Sequence, residues 1–149
     1  MRQPVHMKTK IISKIFVSLA LVLVLGSAIT QLYAEDEKVP IITIHSTGDV
    51  TRGEKPSAFV LNMNPVLFGG MYVNFHVSGT AIPGVDYVPL VSPAYIGQSG
   101  YGVLLIQTLP DRRASSFRRP CSVVVTLEPG PGYAVGESKS AQMMIKPSP

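Results

Sequence analysis

Four arginines fall within eight residues, Arg112, Arg113, Arg118 and Arg119, around a single aromatic side chain, Phe117. A guanidinium offers planar pairs of donors that match phosphate, sulfate and carboxylate oxygens. A loop of this composition is a candidate site for phosphate, sulfated glycan or acidic lipid head groups, with Phe117 as an apolar contact. A solvated charged surface is the alternative. Asp111 opens this stretch, and a second aspartate, Asp86, follows a turn signal in Ile82-Pro83-Gly84-Val85. His45 and His76 lie in extended segments with no second His, Cys or acidic residue at metal-ligand spacing, so both read as surface residues. No nucleophile comes with a base and an orienting acid, and no segment carries paired catalytic carboxylates. These residues predict a protein that is not an enzyme.

The elements that position these groups are set off by a sharp change in charge. Arg2, Lys8, Lys10 and Lys14 precede an uncharged run from Ile15 to Ala34, and Glu35, Asp36 and Glu37 follow it. That order predicts an export signal, with a helical apolar region, over residues 1–34. Cleavage is expected after Ala34, with Gly26-Ser27-Ala28 as a second candidate. An uncleaved anchor is the competing reading, because about 20 apolar residues suffice to cross a bilayer. The expected location is outside the cytoplasm: secreted, periplasmic or at the cell surface. Beyond residue 34 the chain keeps nine basic and nine acidic residues, so the overall excess of base belongs to the leader and gives no argument for nucleic acid.

Residues 35–38 read as a linker and 39–149 as one domain, large enough to bury a core without staples. The lone Cys121 cannot form an internal bridge. It reads as a small, half-buried residue at the start of a strand, with intermolecular pairing as the alternative. Extended segments are expected at Val39–His45, Ala58–Met63, Met71–Val77, Tyr87–Leu90, Ala94–Ile96, Tyr101–Leu109, Ser122–Leu127 and Ala141–Lys146. Met71, Val73, Phe75 and Val77 alternate with Tyr72, Asn74 and His76, which predicts one buried and one wet face. Tyr101–Leu109 is nearly continuous in apolar character and reads as a central strand. Ile82–Val85 fits a type II turn, Pro fixing φ at its second position and Gly84 supplying positive φ at its third. No segment after Glu35 has an apolar period of 3.6. The fold class that follows is all-β, a seven-stranded immunoglobulin-like antiparallel β-sandwich preceded by the signal helix.

Phe75-His76-Val77-Ser78-Gly79-Thr80-Ala81, followed by Gly84-Val85-Asp86-Tyr87, resembles the central motif of the Calx-beta domain. The resemblance extends over nearly everything after residue 38, and it implies a seven-stranded sandwich with calcium held at one end by acidic residues from several loops. Carried over position by position, it makes Asp86 and Asp111 the retained ligands, with Glu54 as a third candidate two residues off register. Arg52 stands where the family places a glutamate, and Arg118 and Cys121 stand where it places two more. Calcium takes six to eight oxygen ligands, and a guanidinium about 4 Å away would repel a unit charge by about 4 kcal/mol at an effective dielectric near 20. The expected site is degenerate, with Arg118, Arg52 or Arg112 between Asp86 and Asp111 as a counter-ion replacing metal.

The leading functional reading is a non-catalytic exported module for protein interaction, adhesion or envelope structure. It would bind a protein or a cell-surface component, with no cofactor, no nucleic acid, and contact with a membrane only through the N-terminal segment. One alternative is a calcium-binding Calx-beta domain in cell communication or adhesion. Another is anion or glycan binding through the Arg112–Arg119 loop.

Overall fold

Alternation of apolar and polar side chains builds the sheets of this domain. The computed structural model describes residues 38–112 and 119–149, and Lys38–Pro149 makes up one unit. Its strands are β1 (Ile41–Ser46), β2 (Val50–Thr51), β3 (Ser57–Asn64), β4 (Met71–Val73), β5 (Phe75–Ser78), β6 (Ala94–Ile96), β7 (Tyr101–Ile106), β8 (Cys121–Leu127), β9 (Ala134–Val135) and β10 (Ser140–Lys146). One sheet has the order β7-β3-β1-β9 and the other β2-β10-β8-β5, while β4 and β6 form a two-stranded ribbon. Every second residue faces inward. Ile42 and Ile44 of β1, Phe59 and Leu61 of β3, and Ile106 of β7 share one core with Val123 and Val125 of β8 and Met143 and Ile145 of β10.

The expectation of seven antiparallel strands is corrected on both counts. Ten strands are found among the described residues, and two pairings, β1 with β9 and β10 with β2, are parallel. The first long extended segment leaves one sheet at Ser46, turns through Gly48, and joins the other sheet as β2. A two-residue strand leaves no periodic signal, which is why no extended segment is expected at Val50–Thr51. Met71–Val77 breaks at Asn74 because its halves pair with different partners, β4 with β6 and β5 with β8. Tyr87–Leu90 forms no strand; Tyr87 makes isolated bridges to Pro83 and Thr108 instead.

Tyr101–Leu109 is also corrected. The strand ends at Ile106 and lies at a sheet edge, with Gly102, Leu104 and Ile106 buried and Tyr101, Val103 and Leu105 exposed. An apolar outer face produces the same continuous run as burial on both faces. Gly102 has its own reason for being glycine. A Cβ there would come 2.8 Å from the carbonyl oxygen of Tyr95, where β6 passes beneath β7. The signal helix and the boundaries drawn at residues 34 and 35 lie outside the described residues, as do Arg113, Phe117 and Arg118.

Two local devices hold the ends of the sandwich. Asp49, at the corner between β1 and β2, accepts a hydrogen bond from the Met144 amide at 3.0 Å and pairs with Lys146 at 3.0 Å, fastening the corner to β10. The Ser78–Ala81 segment is laced to the start of β8. Ser122 N donates to Thr80 Oγ1 at 2.8 Å, and Ala81 N donates to Ser122 O at 2.9 Å. Gly79 lies within this lacing at φ +113°, and a Cβ on it would come 2.3 Å from the Ser122 carbonyl oxygen.

Two outcomes are expected. Gly79→Ala combines an unfavourable φ with a backbone overlap, so it should cost at least about 2 kcal/mol in denaturant unfolding; an unchanged midpoint would contradict the close approach. The Asp49 carboxyl is held below its ordinary value of 3.8 by the Met144 amide and then by Lys146. A depressed acid pKa gives stability that is present above the unfolded value and lost as pH falls through the folded one. Asp49→Asn should therefore flatten the decline in stability below about pH 4 relative to wild type. Superimposable acid limbs would rule this contribution out.

Candidate functional site

The Ser78–Ala81 lacing delivers the chain into a turn whose geometry is fixed by its own residues. Val85 N donates to Ile82 O at 3.1 Å, and Gly84 takes φ +80°, as the Pro-Gly pair predicts. Asp86 N also donates to Ile82 O at 2.8 Å, and the Asp86 side chain returns the contact, its Oδ2 accepting from Ile82 N at 2.7 Å. The carboxylate is thereby locked to the turn that presents it, and it is fully buried. Beyond the turn, Asp86 O accepts from Leu109 N at 3.0 Å, which brings the chain after β7 alongside.

Arg52 arrives from the opposite edge of the sheet that contains β5. It follows β2, and its amide donates to the Lys146 carbonyl at 3.0 Å, so the end of β10 sets its place. Only 4% of Arg52 is exposed. Its guanidinium spreads over several acceptors. Nη2 pairs with Asp86 Oδ1 and lies 3.8 Å from Cys121 Sγ. Nη1 donates to Leu109 O at 2.9 Å and to Asp86 O at 3.3 Å. Nε stands 3.7 Å from Asp111 Oδ2, in ion-pair range, and the Asp111 side chain is only 5% exposed. One buried cation thus sits between the two aspartates and also gathers two backbone carbonyls and a thiol. Placing a charge out of water is costly unless it is paired and hydrogen-bonded, and these contacts meet that requirement.

The remaining candidates are placed as follows. Gly53, at φ +82°, turns the chain directly after Arg52, and Glu54 N donates back to Thr51 O at 3.1 Å, which leaves Glu54 exposed to solvent. Cys121 begins β8 as expected, but it is buried rather than half-buried. Arg112 and Arg119 are exposed, at the two ends of the stretch that lies outside the described residues. A cleft of about 410 Å³ lined by Gly84, Val85, Leu109, Pro110, Asp111 and Arg112 opens beside the Asp111 carboxylate. His76 pairs with Glu128 at 3.1 Å on the surface, and His45 shares a 3.2 Å contact with Asn62.

Sequence reasoning overlooked the parts contributed by the main chain. The carbonyls of Leu109 and Asp86 carry no side-chain signal, and Lys146 enters only through its backbone. Tyr87, next to Asp86, is buried as well, and its hydroxyl is pushed above the ordinary value of 10.0 by burial and then by the Asp86 charge.

The arrangement does not fit calcium. A calcium ion needs six to eight oxygens around an open centre, whereas the space between Asp86 and Asp111 holds a guanidinium whose donors already occupy the acceptors. Among the described residues, no group of three or more His, Cys, Asp or Glu side chains is placed to hold a metal.

Solved structures with a similar fold include Calx CBD domains. The apo-form Calx CBD1 domain matches with a TM-score of 0.60 at 15% identity, covering 75% of this chain and 100% of that one. CBD12 from CALX1.2 matches at 0.57 and 15% identity over 72% of this chain, and the calcium binding domain CBD12 of CALX1.1 at 0.55 and 16% over 70%. The matched part spans 45% and 44% of those two chains. No protein-family model and no curated protein matches the sequence. From Lys38 onward, the chain shares its β-sandwich fold with the Calx CBD domains.

Proposed function

We propose that this chain is an exported, non-catalytic β-sandwich module of the Calx-beta, immunoglobulin-like kind, which presents its sheets and end loops to a protein or cell-surface partner. In this reading its former cation site is closed by Arg52. The observation that carries the reading is the guanidinium itself, buried between Asp86 and Asp111 with its Nη2 on one carboxylate and its Nε near the other. One of the similar structures is titled a calcium binding domain. A divalent ion held by oxygens from several loops joins those loops only while it is bound; a covalently attached cation joins them permanently. The module would therefore hold one shape at every calcium concentration. An architectural or adhesive role suits that property better than a sensing role.

Export is supported by the basic, apolar and acidic order of residues 1–37. The non-catalytic reading is supported by the pairing at the site, where the Arg52 guanidinium takes up the buried carboxylates and lies beside the buried Cys121 thiol.

Two measurements test the reading. Thermal unfolding in chelator and in about 1 mM calcium should give the same midpoint. A site with Kd near 10 μM would instead add about 2.7 kcal/mol, a rise on the order of 10 °C for a domain of this size, and that rise would refute the proposal. Arg52→Ala should lower stability by about 3–5 kcal/mol, because it strands a buried carboxylate. A loss below about 1 kcal/mol would mean that the guanidinium is an ordinary surface charge.

A further inference from the structure

At the end of the sandwich opposite the Arg52 site, an aromatic side chain stands in water at the tip of a built turn. Phe68 is 98% exposed, more than any other large apolar residue described. It is the second residue of the turn Leu67–Gly70, which Gly70 N closes by donating to Leu67 O at 3.3 Å, with Gly69 at φ +98° in the third position. From β6, Tyr95 Oη donates to Gly69 O at 3.0 Å, and Leu67 packs against the core. The turn is thus fixed from beneath while it lifts Phe68 into solvent, with Val66 exposed beside it. Tyr72 and Tyr95, their ring centres 5.1 Å apart, lie exposed on the ribbon that follows. From Pro56 to Val85 there is no Lys, Arg, Asp or Glu. An apolar tip backed by tyrosines and free of charge is the layering of an element that enters a membrane surface, with phenolic rings at head-group level and the apolar tip beyond them.

The register shows which end of the domain this is. Ile41, at the start of β1, lies opposite Asn64, at the end of β3, so the chain enters the domain at the end that carries the Phe68 turn. Val39 and Ile41, on that entry, are exposed as well. Only Glu35, Asp36 and Glu37 separate Lys38 from the uncharged run Ile15 to Ala34, and three extended residues reach at most about 10 Å. A run of that length suffices to cross a bilayer. We infer that residues 15–34 are retained as an anchor and that the Phe68 turn docks into the same bilayer, Phe68 and Val66 entering it while Tyr72 and Tyr95 stay among the head groups. The tether selects lipid as the occupant. An apolar tip alone would suit any neutral partner, but this one lies at the end where the chain joins its own membrane-compatible run. The inference rests on the export reading of the N-terminal segment and uses none of the residues around Arg52.

The test is tryptophan fluorescence of the full chain in phosphatidylcholine vesicles. The sequence contains no Trp, so Phe68→Trp and, separately, Val66→Trp each introduce a single reporter at the turn, and Val85→Trp places one on an exposed position at the opposite end. In vesicles, indoles at positions 68 and 66 should shift to the blue and be quenched several-fold more by brominated lipid than the indole at position 85. Adding Phe68→Ser to Val66→Trp should reduce that quenching several-fold and leave the melting temperature unchanged. A water-exposed spectrum at position 68 on vesicle-bound chain would overturn the inference. So would failure of the chain to bind vesicles, or a blue shift without quenching by brominated lipid, which would show that protein covers the turn. Membrane-associated chain recovered from cells with its N-terminus already cut would overturn the retained anchor. A calcium-induced rise in melting temperature with the lipid quenching intact would instead overturn the Arg52 reading alone.

Discussion

A guanidinium buried against a carboxylate fixes one end of this sandwich. Arg52 follows β2 and Asp86 lies in the turn after β5, the two edge strands of one sheet, so their pairing clamps the opposite edges of that sheet across β10 and β8. Neither charge could stay buried alone. The pair also draws in Leu109 O and Asp111, anchoring the chain as it leaves β7. Calcium in a loop-built site uses the same topology, with one cation gathering oxygens from several segments. Here the cation is attached to the chain, and its directional donors choose two backbone carbonyls in addition to the carboxylate.

That clamp depends on precise strand ends. Arg52 reaches the site only because the chain changes sheet between Ser46 and Val50, a step held by Asp49 on Met144 and Lys146. Asp86 reaches it because Gly79 lets the preceding segment lie against Ser122, and because the Pro83-Gly84 turn points the carboxylate inward. A change at Gly79 or Asp49 is therefore felt at the clamp, although neither residue touches it.

The turn was the most legible part of the sequence, because Pro and Gly restrict φ locally and need no tertiary partner to do so. The alternation in Met71–Val77 and Ser122–Leu127 was legible for a related reason: one face of each segment meets the core. Strand β2 was not, since two residues carry no period, and its parallel pairing with β10 is set by the distant end of the chain. The edge position of β7 was hidden because Val103 and Leu105 are apolar for a reason other than the core. At the site, Asp86, Asp111 and Arg52 could be named from the motif. That Arg52 reaches the aspartates depends on where β2 ends, and Glu54 is turned outward by the single glycine at position 53.

The most direct test of the Arg52 clamp is a double-mutant cycle between Arg52→Met and Asp86→Asn, measured by denaturant unfolding in chelator and again with calcium. A buried, hydrogen-bonded pair predicts a coupling energy of about 2–3 kcal/mol or more, identical in the two conditions. Coupling below about 0.5 kcal/mol, or coupling that changes when calcium is added, would contradict the claim that Arg52 holds the place of the cation.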